Sequence, residues 1–218
     1  MTASIDAAVA RAEMVESQLR RRGIRDERVL DAMARVPRER FVPETLSAHA
    51  YDDGAFPIGH DQTISQPFVV ATICALLGLH GSERVLDVGT GSGYQAAVLA
   101  ELAAEVVTIE RIPGLAEQAR ATLADSGYGN VEVTVGDGSL GVPERAPFDA
   151  IAVAAAAPTV PPALFDQLAD GGRLVVPRGS RWGQELVLVV RIPDGSTERI
   201  SIPCRFVPLV GDEGFGED

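Results

Sequence analysis

The chain has 218 residues, enough for one well-buried domain with a small N-terminal addition. Its 46% apolar content and mean hydropathy of +0.11 describe a globular protein, and no stretch approaches the roughly 20 apolar residues of a membrane span. The formal net charge is −12 and all 19 basic residues are arginine, an acidic balance that repels phosphate backbones and argues against a nucleic-acid substrate.

The first residues lack the basic-then-apolar pattern of a secretory signal. Cys74 and Cys204 lie in apolar surroundings without metal-type spacing, so buried free thiols in a reducing cytoplasm are expected. His49, His60 and His80 are scattered, and no metal is expected.

Residues 5–22 are alanine-rich and helix-permissive, with Gly23 as the stop. Arg20, Arg21, Arg22 and Arg25 form a small basic cluster, read as a solvated surface. Asp26 is placed to cap a second helix whose apolar positions Val29, Leu30, Met33 and Val36 have helical spacing, and Pro37 ends it. Residues 41–67 read as a long irregular loop, ordered by Phe56, Ile58 and Ile64. Residues 68–79 then read as a buried helix.

From Arg84 onward strands and helices alternate. Strands are expected over 85–89, 106–110, 131–135, 148–153, 172–176 and 185–192, and helices near 93–102, 113–126 and 161–169. This interval means a parallel sheet with helices on both faces. Residues 200–210 read as a final strand, joined by a hairpin through Asp194 and Gly195.

The segment VLDVGTGSG (85–93) carries the most information. A short apolar run ends in glycines at 89, 91 and 93, a spacing that lets the backbone turn tightly and approach a ligand closely. Seventeen residues past Gly93 the next strand closes on Glu110, about where an acidic residue accepts hydrogen bonds from ribose hydroxyls. The spacing is G-x-G-x-G rather than the dinucleotide G-x-G-x-x-G, and Asp87 precedes it. An anion there suits a ligand bearing an ammonium group and disfavours a pyrophosphate. Adenosine with an attached amino acid fits, which is S-adenosyl-L-methionine. Gly136, Asp137 and Gly138 follow the third strand, where Asp137 is placed to accept from an adenine amine.

Several segments together resemble the protein-L-isoaspartate O-methyltransferase family over nearly the whole chain. The most specific is FPIGHDQTISQP (56–67). VPRERFV (36–42), VLDVGTGSGY (85–94), APFDAIAV (146–153), LADGGRLVVPRG (168–179) and RFVPL (205–209) also match. The resemblance implies an α/β fold: a doubly wound, mostly parallel seven-stranded sheet with helices on both faces, Rossmann-like, as in class I S-adenosylmethionine-dependent methyltransferases. It implies one domain over 1–218, with N-terminal helices and active-site loop in 1–80, the cofactor-binding core in 81–192 and a C-terminal strand and tail in 193–218.

The resemblance further implies methylation of the α-carboxylate of L-isoaspartyl residues in damaged proteins and peptides. The ester collapses to a succinimide that begins repair, and S-adenosyl-L-homocysteine is released. By the same match Ser65 is catalytic, and Gln62, Thr63, Ile64, Asp87, Gly89, Gly91, Glu110, Asp137 and Gly138 bind the cofactor. Thr63, Ser65 and Val207 bind substrate, Val207 within a C-terminal strand. A cytoplasmic monomer is expected, without nucleic-acid or membrane partners. Two departures stand out: Asp61 replaces a glycine usual in the family, and Ala154 a frequent threonine.

These residue types suit the reaction. A carboxylate is already ionised at neutral pH, so the nucleophile needs no base, and the demands are alignment and exclusion of water. Thr63 and Ser65 on a proline-flanked loop meet them, although Ser-Gln-Pro also suits a helix N-cap, and the two roles are compatible. A methyltransferase of the same fold acting on another acceptor, a nicotinamide oxidoreductase and a non-catalytic cofactor-binding relative remain as alternatives.

Overall fold

The computed structural model describes residues 2–216. Helix α1 (Thr2–Glu13) runs into a π-helical stretch (Met14–Arg20), and the turn that follows closes on Gly23, whose φ of +103° suits a residue without a Cβ. Asp26 accepts from the Arg28 amide at 3.0 Å and caps α2 (Glu27–Arg35), as its position predicted. The basic cluster before it is engaged within the protein. Arg20 pairs with Glu16 and Glu27, Arg21 with Glu16 and Arg22 with Asp53, while Arg25 donates to the Arg20 carbonyl.

Residues 41–67, expected as an irregular loop, carry regular structure. After two short 3₁₀ turns (Arg38–Phe41 and Glu44–His49), β1 (Phe56–Gly59) and β2 (Gln62–Ile64) form an antiparallel hairpin. His60 and Asp61 form its tip with φ of +53° and +57°, the left-handed pair that a two-residue hairpin turn requires. Neither is glycine, so the usual turn signal is absent. Helix α3 (Pro67–Leu77) follows, ended by Gly78 in the left-handed region.

The main sheet is built from β3 (Arg84–Val88), β4 (Glu105–Glu110), β5 (Val131–Val135), β6 (Phe148–Val153), β7 (Leu168–Gly179), β8 (Gln184–Ile192) and β9 (Gly195–Cys204), in the order β5-β4-β3-β6-β7-β8-β9. Strands β5, β4, β3, β6 and β7 are parallel, and β8 and β9 are antiparallel additions. The expected doubly wound, mostly parallel seven-stranded sheet is present. The chain runs outward from β3 to β5, then returns to place β6 on the other side of β3. That reversal opens a crevice at the C-terminal end of β3, where such sheets bind ligands.

Helices α4 (Tyr94–Ala100), α5 (Pro113–Asp125) and α6 (Pro162–Asp166) connect the strands. Alternate strand residues feed two cores. Val85, Val106, Ala150, Ala152 and Val175 join the N-terminal helices, α3 and α4 in one, whereas Leu86, Val88, Val107, Ile109, Ile151, Val153 and Leu174 join Leu164 of α6 in the other.

Two boundaries differ from expectation. Helix α6 is short because Leu168 already pairs with Phe148, and β7 bulges before Arg173 reaches Ala150. The final strand spans 195–204, not 200–210. It turns tightly, with Ile192 opposite Gly195, and its largely exposed, polar first half concealed it as an edge strand.

Candidate active site

A cavity of about 320 Å³ lies at the C-terminal end of β3. Its floor is the turn from β3 into α4. Gly89, Gly91 and Gly93 there have φ of +92°, +54° and +90°, so all three need the freedom that glycine supplies. The Gly89 amide donates to the Ile109 carbonyl at 2.9 Å. A Cβ on Gly91 would stand 3.3 Å from Ile58 Cδ1, because the β1–β2 hairpin lies over the turn as a roof. The hairpin tip reaches α5: His60 Nε2 is 3.6 Å from where a Cβ on Gly114 would sit.

Glu110, 7% exposed, borders the chamber from the end of β4. Its Oε2 accepts from the Gly91 amide at 2.9 Å and its Oε1 from the Ile112 amide at 3.0 Å. Two backbone donors thus fix the carboxylate, and each oxygen retains lone-pair capacity for a ligand hydroxyl. Gly138 borders the same space, and a Cβ there would come within 2.8 Å of Val88 Cγ1. The loop after β5 can therefore approach β3 only as glycine.

Gln62, Thr63, Ile64 and Ser65 all line the chamber. Thr63 pairs across the hairpin with Pro57, and Ile64, opposite Phe56, is buried. Ser65 is half-buried, and among the described residues its hydroxyl makes no hydrogen bond. The N-cap of α3 is Gln66, whose carbonyl accepts from the Val69 and Val70 amides, so Ser65 does not serve as the cap. The Gln66 amide donates to Asp53 Oδ1 at 2.6 Å. Asp53 also receives Arg22, which stacks 3.8 Å over the Phe68 ring. These contacts fasten the chain that follows Ser65.

Three predicted residues sit differently from their expected roles. Asp87 does not line the chamber: it is 0% exposed, and its carboxylate accepts from Gln95 Nε2 at 2.7 Å and Thr108 Oγ1 at 2.8 Å. Burial pushes its carboxyl up to about 6, against those two hydrogen bonds, which favour the ionised form. Asp137 is also turned aside. It accepts from the Ser139 amide and hydroxyl and from the Asp212 amide, so the C-terminal segment docks on it. Burial works against the charge, but these donors hold its carboxyl below the ordinary value. Val207 lines the chamber from outside β9. Its carbonyl accepts from the Ala156 amide at 2.8 Å, and the Leu209 amide returns a bond to the Ala156 carbonyl at 2.7 Å.

The structure adds lining residues that the sequence reading passed over: Tyr94, Gln95, Arg111 and the Pro208–Val210 stretch. Gln95 had a visible signal, as a lone polar side chain in the otherwise apolar YQAAVLA of α4. Arg111 had none beyond its place after Glu110. Asp61 and Ala154, the two departures, both border the chamber.

Comparisons with known proteins agree with this geometry. The family model for protein-L-isoaspartate(D-aspartate) O-methyltransferase matches residues 10–214. A protein-L-isoaspartate O-methyltransferase of Marinobacter nauticus is 57% identical over 212 residues, covering 96% of this chain and 97% of the relative. One from Methanoculleus marisnigri is 54% identical over 206 residues, with coverage of 94% and 93%. A solved protein-L-isoaspartate O-methyltransferase superposes with a TM-score of 0.82 at 30% identity, over 93% of this chain and 67% of that one. A Plasmodium falciparum structure described as a protein of this kind, in complex with S-adenosyl-L-homocysteine, gives 0.80 at 26% identity over 92% and 98%. The chain belongs to the protein-L-isoaspartate O-methyltransferase family.

Proposed function

We propose that this chamber is where the chain methylates the α-carboxylate of L-isoaspartyl residues, with Ser65 orienting the reacting oxygen. The activity is that of the family: S-adenosylmethionine-dependent methylation of isoaspartyl residues as the first step of their repair. The observation that carries the residue-level reading is the Ser65 hydroxyl. It has no partner in the described chain and lies on the same chamber as Glu110 and the glycine turn.

The donor set fits the cofactor. Glu110 offers acceptors for ribose hydroxyls, the Gly89–Gly91 turn leaves room where any Cβ would meet the roof or Ala154, and Gly138 leaves room on the adenine side. Gln62, Thr63 and Ile64 cover the site from the hairpin. When bound, S-adenosylmethionine supplies a sulfonium methyl open to attack by a carboxylate oxygen. The residues here then have two tasks. Ser65 and Thr63 hold the carboxylate through hydroxyl donors, and the hairpin with Ile58 and Ile64 keeps water out. Val207 supports the substrate backbone beside the chamber. No side-chain base is required, because the nucleophile is already ionised.

The same reading takes residues 1–218 as one methyltransferase domain and the protein as a cytoplasmic monomer acting on isoaspartyl proteins and peptides. Free Cys74 and Cys204 support a reducing compartment, and the internal pairing of the Arg20–Arg22 cluster leaves little basic surface for nucleic acid. No helix among the described residues is long and apolar enough to cross a membrane. Kinetics of Ser65→Ala with an isoaspartyl peptide test the central assignment. Turnover should fall while S-adenosylhomocysteine affinity holds, and unchanged turnover would remove Ser65 from the mechanism.

A further inference from the structure

Asp87 and Gln95 form a buried pair that the mechanism above does not use. Asp87 is 0% exposed and Gln95 6%. An ionised carboxylate only accepts hydrogen bonds, so the 2.7 Å contact fixes the Gln95 amide with its nitrogen toward Asp87 and its oxygen away. That Oε1 is buried and has no hydrogen-bond partner among the described residues, while Gln95 itself borders the chamber. A buried acceptor left without a donor forfeits its hydration with nothing in return. Natural folds retain few of them and each calls for an explanation; this one belongs to a side chain at the edge of the ligand chamber.

We propose that Gln95 Oε1 accepts an N–H from the α-ammonium group of the bound cofactor, and that Asp87 positions the amide from beneath. The inference rests on reading the chamber as the S-adenosylmethionine site. Charge selects the ammonium over a neutral donor. The carboxylate behind the amide polarises it and strengthens Oε1 as an acceptor, and a cation in front offsets the cost of a buried anion. Position agrees. Gln95 stands two residues past Gly93, beside the turn assigned to the methionine part, whereas Glu110 faces the ribose and Gly138 the adenine side. The spacing of the motif had suggested that Asp87 meets the ammonium directly. Its burial makes it a positioning residue acting through Gln95, with Thr108 on its second oxygen and Glu110 and Cys74 as the titratable groups bearing on it.

Calorimetry with two ligands tests this. S-adenosylhomocysteine carries the ammonium, and its deaminated analogue has hydrogen in its place. Gln95→Leu should weaken S-adenosylhomocysteine about 10- to 100-fold, the worth of one hydrogen bond to a charged group. The analogue should change by less than about twofold, since it never made the contact. Leucine leaves Asp87 Oδ1 unpaired, so the Asp87→Asn/Gln95→Leu double variant, which carries no buried charge, makes the same comparison if the single variant melts below assay temperature. Equal losses for both ligands, or no loss for either, would overturn the proposal. Glu110→Ala separates this from failure of the chamber reading. If it leaves S-adenosylhomocysteine binding intact, the site itself is misassigned, whereas a loss there with Gln95→Leu unaffected rejects the ammonium contact alone.

Discussion

Replacing Asp87 with asparagine should make the protein more stable at neutral pH and a poorer binder of its cofactor. The carboxyl is buried at 0% exposure, and burial raises its pKa from 3.8 to about 6. The folded state therefore binds this proton more tightly than the unfolded chain does. Above pH 6 the group is ionised in both states, and folding bears the whole cost of burying the charge. Two units at about 1.36 kcal/mol each amount to roughly 3 kcal/mol. Between about pH 6 and 4 the folded form takes up the proton and the cost fades.

Asparagine matches the shape and can keep the contacts. Its oxygen accepts from Gln95 Nε2, and its amide donates to Thr108 Oγ1, whose hydroxyl can then donate to Thr90 Oγ1, 2.7 Å away. Asp87→Asn should thus gain about 2–3 kcal/mol at pH 7.5, or about 5–10 °C in Tm for a chain of this size, and the gain should vanish near pH 4. Urea denaturation and scanning calorimetry at both pH values read it. A variant less stable than the parent at pH 7.5, or a difference independent of pH, would refute the electrostatic argument. A stabilising change that weakens the site also identifies Asp87 as a charge retained for binding.

Glu110→Ala should weaken S-adenosylhomocysteine by about 1.5–3 kcal/mol, the range for hydrogen bonds to a charged group, with calorimetry as the readout and an unchanged Kd placing the ribose elsewhere. Ser65→Ala should leave Tm within about 2 °C, because a change that breaks no contact costs about 0.5 kcal/mol or less, while kcat falls; a large drop in Tm with normal kcat would mean the hydroxyl is structural. Asp61→Gly should relieve the left-handed turn at φ +57° and stabilise the chain by up to about 1 kcal/mol. It also removes an anion from the rim of the chamber, so KM for an isoaspartyl peptide should fall. A higher KM would make Asp61 a substrate contact.

The doubly wound core was legible because its signals are local. Apolar runs of strand length, three alternating glycines and an acidic residue at the end of the next strand placed β3, α4, β4 and Glu110 within a residue or two of their positions. The FPIGHDQTISQP segment put Gln62 to Ser65 on the chamber. What stayed hidden either lacks a local signal or depends on partners distant in sequence. The β1–β2 hairpin turns on His60 and Asp61, so no glycine announced it. Strand β9 is an exposed edge held by its register with β8, and the RFVPL segment leaves that edge to pair with Ala156. Asp87 looked like a ligand contact until its burial beneath Gln95 and beside Thr108 was visible. Asp137 is taken up by the amides of Ser139 and Asp212, the latter 75 residues away.

The central claim is that this chamber aligns an isoaspartyl α-carboxylate for methylation without a base. In the β-linked residue that carboxylate branches from the Cα bearing the peptide nitrogen, one methylene from where a normal aspartyl carboxylate lies. When alignment is the mechanism, an error of about 1 Å costs roughly 100-fold. Methyl transfer from labelled S-adenosylmethionine to matched isoaspartyl and aspartyl peptides, run in competition, measures this directly. The account predicts a preference for the isoaspartyl peptide of about 100-fold or more, reduced turnover in Ser65→Ala and retained cofactor affinity in that variant. Equal methylation of the two peptides, or of neither while a small-molecule acceptor is methylated, would contradict it.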